Sequence, residues 1–318
     1  MTSLATQPLP QRWLFVPGDD AARLEAALTS GADAIVVDLE EFTAPEGRAL
    51  AISRFAEFAR RARRLHLWPA VRLNLLEQGG REELAALMQT ALGELAGTPA
   101  AVFLPAVEQR SQLAALDEAL AEQERLHALP AGSLKSVATL ESQAGLLAAE
   151  ELLAAGDDTP RLLGALIGTG DLATDLGLMP DQPAATITET LKPWRQRLAV
   201  ACRTHQRLAI DGPWRWQHGL GTDQHWANQQ GLHARCVIHP DQLEALYDLM
   251  PAPLCRCAMA GRSSSTRSDC TAPSVSSWCP AKATCRASMH SMSTRAPSTP
   301  SSAARKVARA TWPKPTAS

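Results

Sequence analysis

Glu141 and Asp171 are the residues whose type and spacing point most directly to chemistry. They lie 30 residues apart, about one strand–helix unit, so they can project from adjacent strands toward one rim. Two carboxylates, completed by waters and a substrate oxygen, make the hard octahedral oxygen site that Mg2+ prefers. Mg2+ held there would act as a Lewis acid on a carbonyl or enolate oxygen. The plainer alternative is that each acid caps the helix that follows it. Arg72 supplies fixed positive charge for a substrate carboxylate or a developing enolate; its alternative is a rim salt bridge to Asp38 or Glu40. Asp38, Glu40 and Glu41 crowd like charges, so some must be paired. They read as groups that orient substrate or metal-bound water, not as direct ligands. Asn74, with Arg72 at the end of the third strand, and Asp211, at the end of the seventh, complete the substrate-binding candidates.

Other chemistry-bearing residues are weaker candidates. His239, before Pro240, is a proton carrier or a structural histidine bonded to backbone. Trp214 and Trp216 can pack on a ligand or cap the fold. Cys202 and Cys236 sit in apolar contexts and read as inert packing. No G-x-x-x-x-G-K-[ST], H-E-x-x-H or G-x-S-x-G occurs in the sequence, which leaves phosphate-loop NTPase, zincin and serine hydrolase chemistry unsupported.

The elements that must position these residues are short apolar runs separated by helical stretches. The runs are Trp13–Val16, Ala34–Val37, Ala70–Leu73, Ala101–Leu104, Val137–Leu140, Leu163–Ile167, Leu208–Ile210 and Cys236–Ile238. Asp19 and Asp20 can cap a helix that turns Leu24, Ala27 and Leu28 inward and stops at Gly31; Gln143 to Ala155 forms another, ended by Gly156. Eight strand–helix turns in about 240 residues have the proportions of a TIM (β/α)8 barrel, in which chemistry gathers at the C-terminal strand ends. An open doubly wound sheet is the alternative, but no G-x-G-x-x-G follows the first strand.

The 318 residues are 45% hydrophobic and 20% charged, with a formal net charge of −2. That balance favours neither nucleic acid nor a membrane surface. Neither a signal peptide nor a membrane-spanning run is evident, so a cytoplasmic address is expected. The chain divides into an N-terminal extension (1–11), a barrel (12–250) and an atypical tail (251–318). The tail holds ten Lys or Arg against one acid, Asp269, and five of the seven cysteines. Its poverty in core-forming residues predicts disorder. A zinc module and a nucleic-acid-binding tail are alternatives to the favoured reading, a GC-rich gene translated out of frame.

Several segments resemble the HpcH/HpaI aldolase and citrate lyase β-subunit-like family. They are Leu14-Phe15-Val16-Pro17-Gly18-Asp19, Asp38-Leu39-Glu40, Val71-Arg72-Leu73-Asn74, Thr139-Leu140-Glu141-Ser142, Gly168-Thr169-Gly170-Asp171-Leu172, Ala209-Ile210-Asp211-Gly212 and Ile238-His239-Pro240. The resemblance implies a phosphoenolpyruvate-binding-type barrel in which Glu141 and Asp171 hold Mg2+ and Arg72 binds the substrate. The implied reaction is cleavage or formation of citryl-, citramalyl- or malyl-CoA, with acetyl-CoA and a 2-oxo acid as the other side. It further implies a homo-oligomer, a trimer or a multiple of one, and allows an acyl carrier protein partner. An aldolase for free 2-oxo acids and a catalytically silent CoA- or metabolite-binding barrel are the other readings. The departures are Glu41 for the usual aspartate, Leu75 for a proline, Ala106 and Arg235 for lysines, and no Val-Asp-x-Pro-like motif after Met250.

Overall fold

The computed structural model describes residues 9–158 and 161–250, and side chains outside 155–160. The expectations for the tail and for residues 1–8 lie outside the described residues. Each apolar run forms a strand: β1 (Arg12–Pro17), β2 (Ala34–Asp38), β3 (Trp68–Arg72), β4 (Ala101–Leu104), β5 (Lys135–Leu140), β6 (Leu162–Ile167), β7 (Leu208–Asp211) and β8 (Ala234–Val237). All pair in parallel in sequence order, and β8 returns to β1, closing the barrel expected from the spacing. Pro69 and Arg235 hid the true starts of β3 and β8, since neither residue type belongs to an ordinary apolar run.

Helices α1 (Ala21–Ala27), α2 (Arg48–Arg64), α3 (Gly80–Ala91), α4 (Arg110–Leu126), α5 (Gln143–Leu147), α6 (Ala149–Asp158), α7 (Thr169–Asp175), α8 (Ala184–Thr204), α9 (Leu220–Gln230) and α10 (Asp241–Tyr247) follow their strands. Asp20 caps α1 by accepting from Arg23 N–H at 3.0 Å. The helix ends at Ala27, before the expected stop at Gly31. The stretch expected as one helix from Gln143 is broken into α5 and α6. Arg197 of α8 explains the break: its guanidinium donates to the carbonyls of Leu146 (2.6 Å) and Leu147 (2.7 Å), satisfying groups that a continuous helix would have bonded internally. Among the described residues no helix is long and apolar enough to cross a membrane.

Because strand side chains alternate in direction, the sheet has two cores. One fills the lumen with Trp13, Phe15, Val36, Trp68, Phe103, Ile210 and Cys236. Trp13 meets Phe103 edge-to-face at 5.4 Å, and Phe15 does the same; such pairs add about 0.5–1.5 kcal/mol each beyond area burial. The other core, with Leu14, Ile35, Val71, Val102, Ile167 and Val237, packs under the helices.

Candidate active site

The strand period decides which polar residues face the lumen. Asp38 continues the inward set of Ala34 and Val36, and Arg72 that of Trp68 and Ala70. The ladder sets Asp38 directly opposite Arg72. The pair is bidentate, with Arg72 Nε and Nη2 donating to Asp38 at 2.7 and 2.5 Å. Asp38, fully buried, also accepts from the backbone N–H groups of Glu40 and Phe42 at 3.0 Å each. Arg72 reaches Glu40 at 3.2 Å and Glu41 at 3.1 Å, with Phe15 and Phe42 rings beside it. Burial disfavours its charge, but Asp38, Glu40 and Glu41 outweigh burial and hold its pKa well above the ordinary value. The salt bridge weighed for Arg72 is thus present, extended to three acids. Glu40, half-buried, is raised by burial, which the Arg72 charge only partly offsets.

Glu141 follows β5 and Asp171 lies in the first turn of α7. Neither acts as the helix cap considered above. Ser142 caps α5, accepting from Gly145 N–H, and α7 follows its N-cap, Gly168, without a side-chain cap bond. Glu141 Oε1 instead accepts from Ala106 N–H at 2.7 Å. Its pKa is pushed up to about 7, chiefly by burial, with the charge of Asp171 adding to it. The charge of Asp171 also raises Glu40, so the three acids face one another electrostatically. Gly168 is what lets Glu141 fit: a Cβ there would stand 2.5 Å from Glu141 Cβ and 2.6 Å from Oε2.

Among the described residues no group of three or more His, Cys, Asp or Glu forms a ready metal cage. Two carboxylates at an open rim nevertheless fit Mg2+, an all-oxygen binder that keeps several waters. The cradle over Gly168, which any side chain would fill, leaves Oε2 its room.

Asn74 stands beside this cluster but its amide is committed. Its Nδ2 donates to Leu39 O (3.0 Å) and to Glu83 Oε1 (2.6 Å), while Glu83 Oε2 accepts from Asn74 N–H at 2.9 Å. Glu83, which sequence reasoning missed, is itself raised by burial.

Asp211 is not brought into the cluster. It falls in the outward register, opposite Arg235. There it joins Arg195 of α8 and Asp223 of α9 in a buried tetrad between sheet and helices. Arg195 Nε donates to Asp211 Oδ1 at 2.9 Å, Arg195 Nη1 to Asp223 at 2.8 Å, and Arg235 Nη2 to both aspartates. Burial pushes Asp211 up, yet Arg195 and Arg235 outweigh it and bring its pKa down to about 2. The signal for this tetrad was available: Arg195 shares the buried face of α8 with Leu191 and Leu198, and Asp223 that of α9 with Leu220 and Ala227.

His239 Nδ1 accepts from Asp241 N–H at 3.3 Å, at the start of α10. Trp214 packs edge-to-face on Trp216 at 4.7 Å and donates to His218 O. Cys202 and Cys236 are buried free thiols whose pKa values burial raises, Cys202 to about 12.

The chain is similar to several known proteins. The model of the HpcH/HpaI aldolase/citrate lyase family matches residues 11–229. A (3S)-malyl-CoA thioesterase of Cereibacter sphaeroides is 28% identical over 250 residues, 76% of this chain and 78% of that protein. An L-malyl-CoA/beta-methylmalyl-CoA lyase of the same species is 27% identical over 250 residues, 72% of this chain and 75% of that protein. The citrate lyase beta subunit of Mycobacterium tuberculosis, solved with oxaloacetate and magnesium, superposes with a TM-score of 0.57 at 24% identity, covering 77% of this chain and 97% of that one, and speaks to the fold alone. With the family model spanning most of the barrel and the described geometry in agreement, the chain belongs to the HpcH/HpaI aldolase/citrate lyase family.

Proposed function

We propose that this chain is a Mg2+-dependent carbon–carbon lyase that cleaves, or forms, a 3-hydroxyacyl-CoA of the malyl-, citramalyl- or citryl-CoA type. The observation that carries the reading is the meeting of Glu141 and Asp171 at the rim beside the Arg72–Asp38 pair. Bound between Glu141 and Asp171, Mg2+ would supply positive charge where negative charge develops on the substrate oxygens as the carbon–carbon bond breaks. Arg72, locked in place by Asp38, contributes a second fixed charge that needs no reorganisation at the moment of reaction. Five carboxyl groups (Asp38, Glu40, Glu41, Glu141, Asp171) gather near Arg72 at the rim, and Mg2+ held there would offset part of their negative charge where an anionic 2-oxo acid must dock. Asn74, held by Glu83, fixes the loop after β3, and Glu40 orients the substrate.

Hydrolysis of the thioester is the second reading, because a malyl-CoA thioesterase is among the similar proteins. Incubation of the full chain with citryl-, citramalyl- and malyl-CoA, with Mg2+ or EDTA and with Glu141→Ala as control, separates the readings. Lyase action releases acetyl-CoA and a 2-oxo acid; thioesterase action releases free CoA and the hydroxy acid. No Mg2+-dependent product from any of the three would refute both.

A further inference from the structure

The loop after β4 carries a non-glycine residue in the left-handed region: Ala106, at φ +47°. An L-residue rarely adopts that conformation, and it persists only where its surroundings over-determine it. Here they do. Next along the chain, Val107 N–H donates to Thr139 O at 3.0 Å, extending the ladder toward β5. On the other side stands Gln112, in the first turn of α4. Its Nε2 donates to Ala106 O at 3.1 Å, while its Oε1 accepts from the N–H groups of Glu108 (2.8 Å) and Gln109 (2.9 Å). One side chain therefore ties the loop at three points. The product of this constraint is a single backbone N–H aimed at Glu141 Oε1, 2.7 Å away. Oε1 is thereby engaged with protein, while Oε2 lies against Gly168, on the side of β6 and Asp171.

We propose that Gln112 is a positioning residue for the metal carboxylate. Acting through the Ala106 backbone, it fixes the Glu141 rotamer so that Oε2 alone is offered to Mg2+. The proposal rests on the reading of Glu141 as a metal ligand. It also gives a physical sense to the alanine at position 106: what the position delivers to Glu141 is an N–H, which every residue but proline has. Second-layer partners of metal ligands commonly carry about 10–100-fold in metal affinity, and Gln112 belongs at the low end because it acts through one intervening peptide.

The test is calorimetric titration of the full chain with Mg2+ at pH 8, alongside thermal melts and steady-state kinetics. Gln112→Ala is expected to weaken Mg2+ binding about tenfold, while KM for the CoA ester at saturating Mg2+ changes less than about twofold. Gln112→Glu guards against a folding artefact. It keeps the acceptor for Glu108 and Gln109 N–H, and so the start of α4, but loses the donor to Ala106 O. Its added negative charge would favour Mg2+, so weaker binding in this variant cannot be electrostatic. Wild-type affinity in both Gln112 variants, or a lowered melting temperature with unchanged affinity, would overturn the proposal while leaving the metal site standing. Absence of Mg2+ binding by the parent chain, or binding that survives Glu141→Ala, would overturn the metal reading and this proposal together.

Discussion

Asp38 and Arg72 are register partners on β2 and β3, and the guanidinium edge of one bridges both carboxylate oxygens of the other inside the barrel mouth. A lysine could not reproduce that fork, because an ammonium is a point charge on a flexible stem. Arg72→Lys is therefore expected to keep the net charge yet lower kcat/KM at least about 100-fold, in line with the loss of one preorganised donor at a developing charge. Arg72→Ala leaves Asp38 buried and unpaired, and should in addition destabilise the fold by about 3–5 kcal/mol. Urea unfolding beside steady-state kinetics checks both; a lysine variant with parental kcat/KM would remove Arg72 from the chemistry.

On the proposed reading, the position of Glu141 makes Mg2+ binding a proton-linked event. With its pKa pushed up to about 7, Mg2+ must displace a proton below that pH. Apparent affinity should then fall by up to about tenfold per pH unit below 7, and level off above it. The sign for stability follows from the same shift. The apo folded state holds this proton more tightly than the unfolded chain, so stability declines as pH rises from about 4.5 toward 7. Glu141→Gln removes that decline. In EDTA it should be more stable than the parent by about 1–3 kcal/mol at pH 8, with little difference at pH 4.5. Parallel unfolding curves at the two pH values would contradict the raised pKa.

Gly168 is the position at which one methyl group should cost the proposed metal site. A Cβ there meets Glu141 Cβ and Oε2 well inside van der Waals contact. Relief must come from Glu141, since Gly168 N–H is fixed to Leu140 O at 3.0 Å. Gly168→Ala is expected to weaken Mg2+ binding by about 10–100-fold, the range for a displaced partner of a metal site. Calorimetry on the purified variant, with circular dichroism confirming the barrel, decides the point; retained affinity would mean that Glu141 can move without loss.

Much of this architecture was legible before any coordinates, because two periodicities carry it. Apolar runs at strand–helix spacing gave the barrel, and acids and an arginine at the run ends gave its rim. What was not legible was direction. Asp38, Arg72 and Glu141 share the inward parity, while Asp211 follows the inward Ile210 by one position and points the opposite way. One residue of register reverses a side chain, and strand-end motifs do not announce it. Glu83 and Gln112 were invisible for a different reason: each sits on a helix outside the motifs and acts by bonding a residue at the rim, Asn74 or Ala106, and helix-surface Glu and Gln ordinarily face water.

The outward turn of Asp211 gives opposite predictions to a substrate-binding role. In the tetrad, two guanidinium groups and two carboxylates balance their charges out of contact with water. Asp211→Asn preserves the shape but leaves Arg195 and Arg235 to share Asp223 alone. Breaking a buried ion pair from one side costs about 3–5 kcal/mol, so a large drop in the urea midpoint is expected. The activity per folded molecule should stay within about threefold, because the side chain points away from the lumen. Acid titration gives a second check. The pKa of Asp211 is lowered to about 2, so its stabilisation is present above the unfolded value near 3.8 and is lost as pH falls toward 2. The variant should show a shallower loss of stability than the parent across that window. A variant that is fully stable but has a sharply raised KM would instead place Asp211 in contact with substrate, and would require β7 to present its last residue to the barrel mouth.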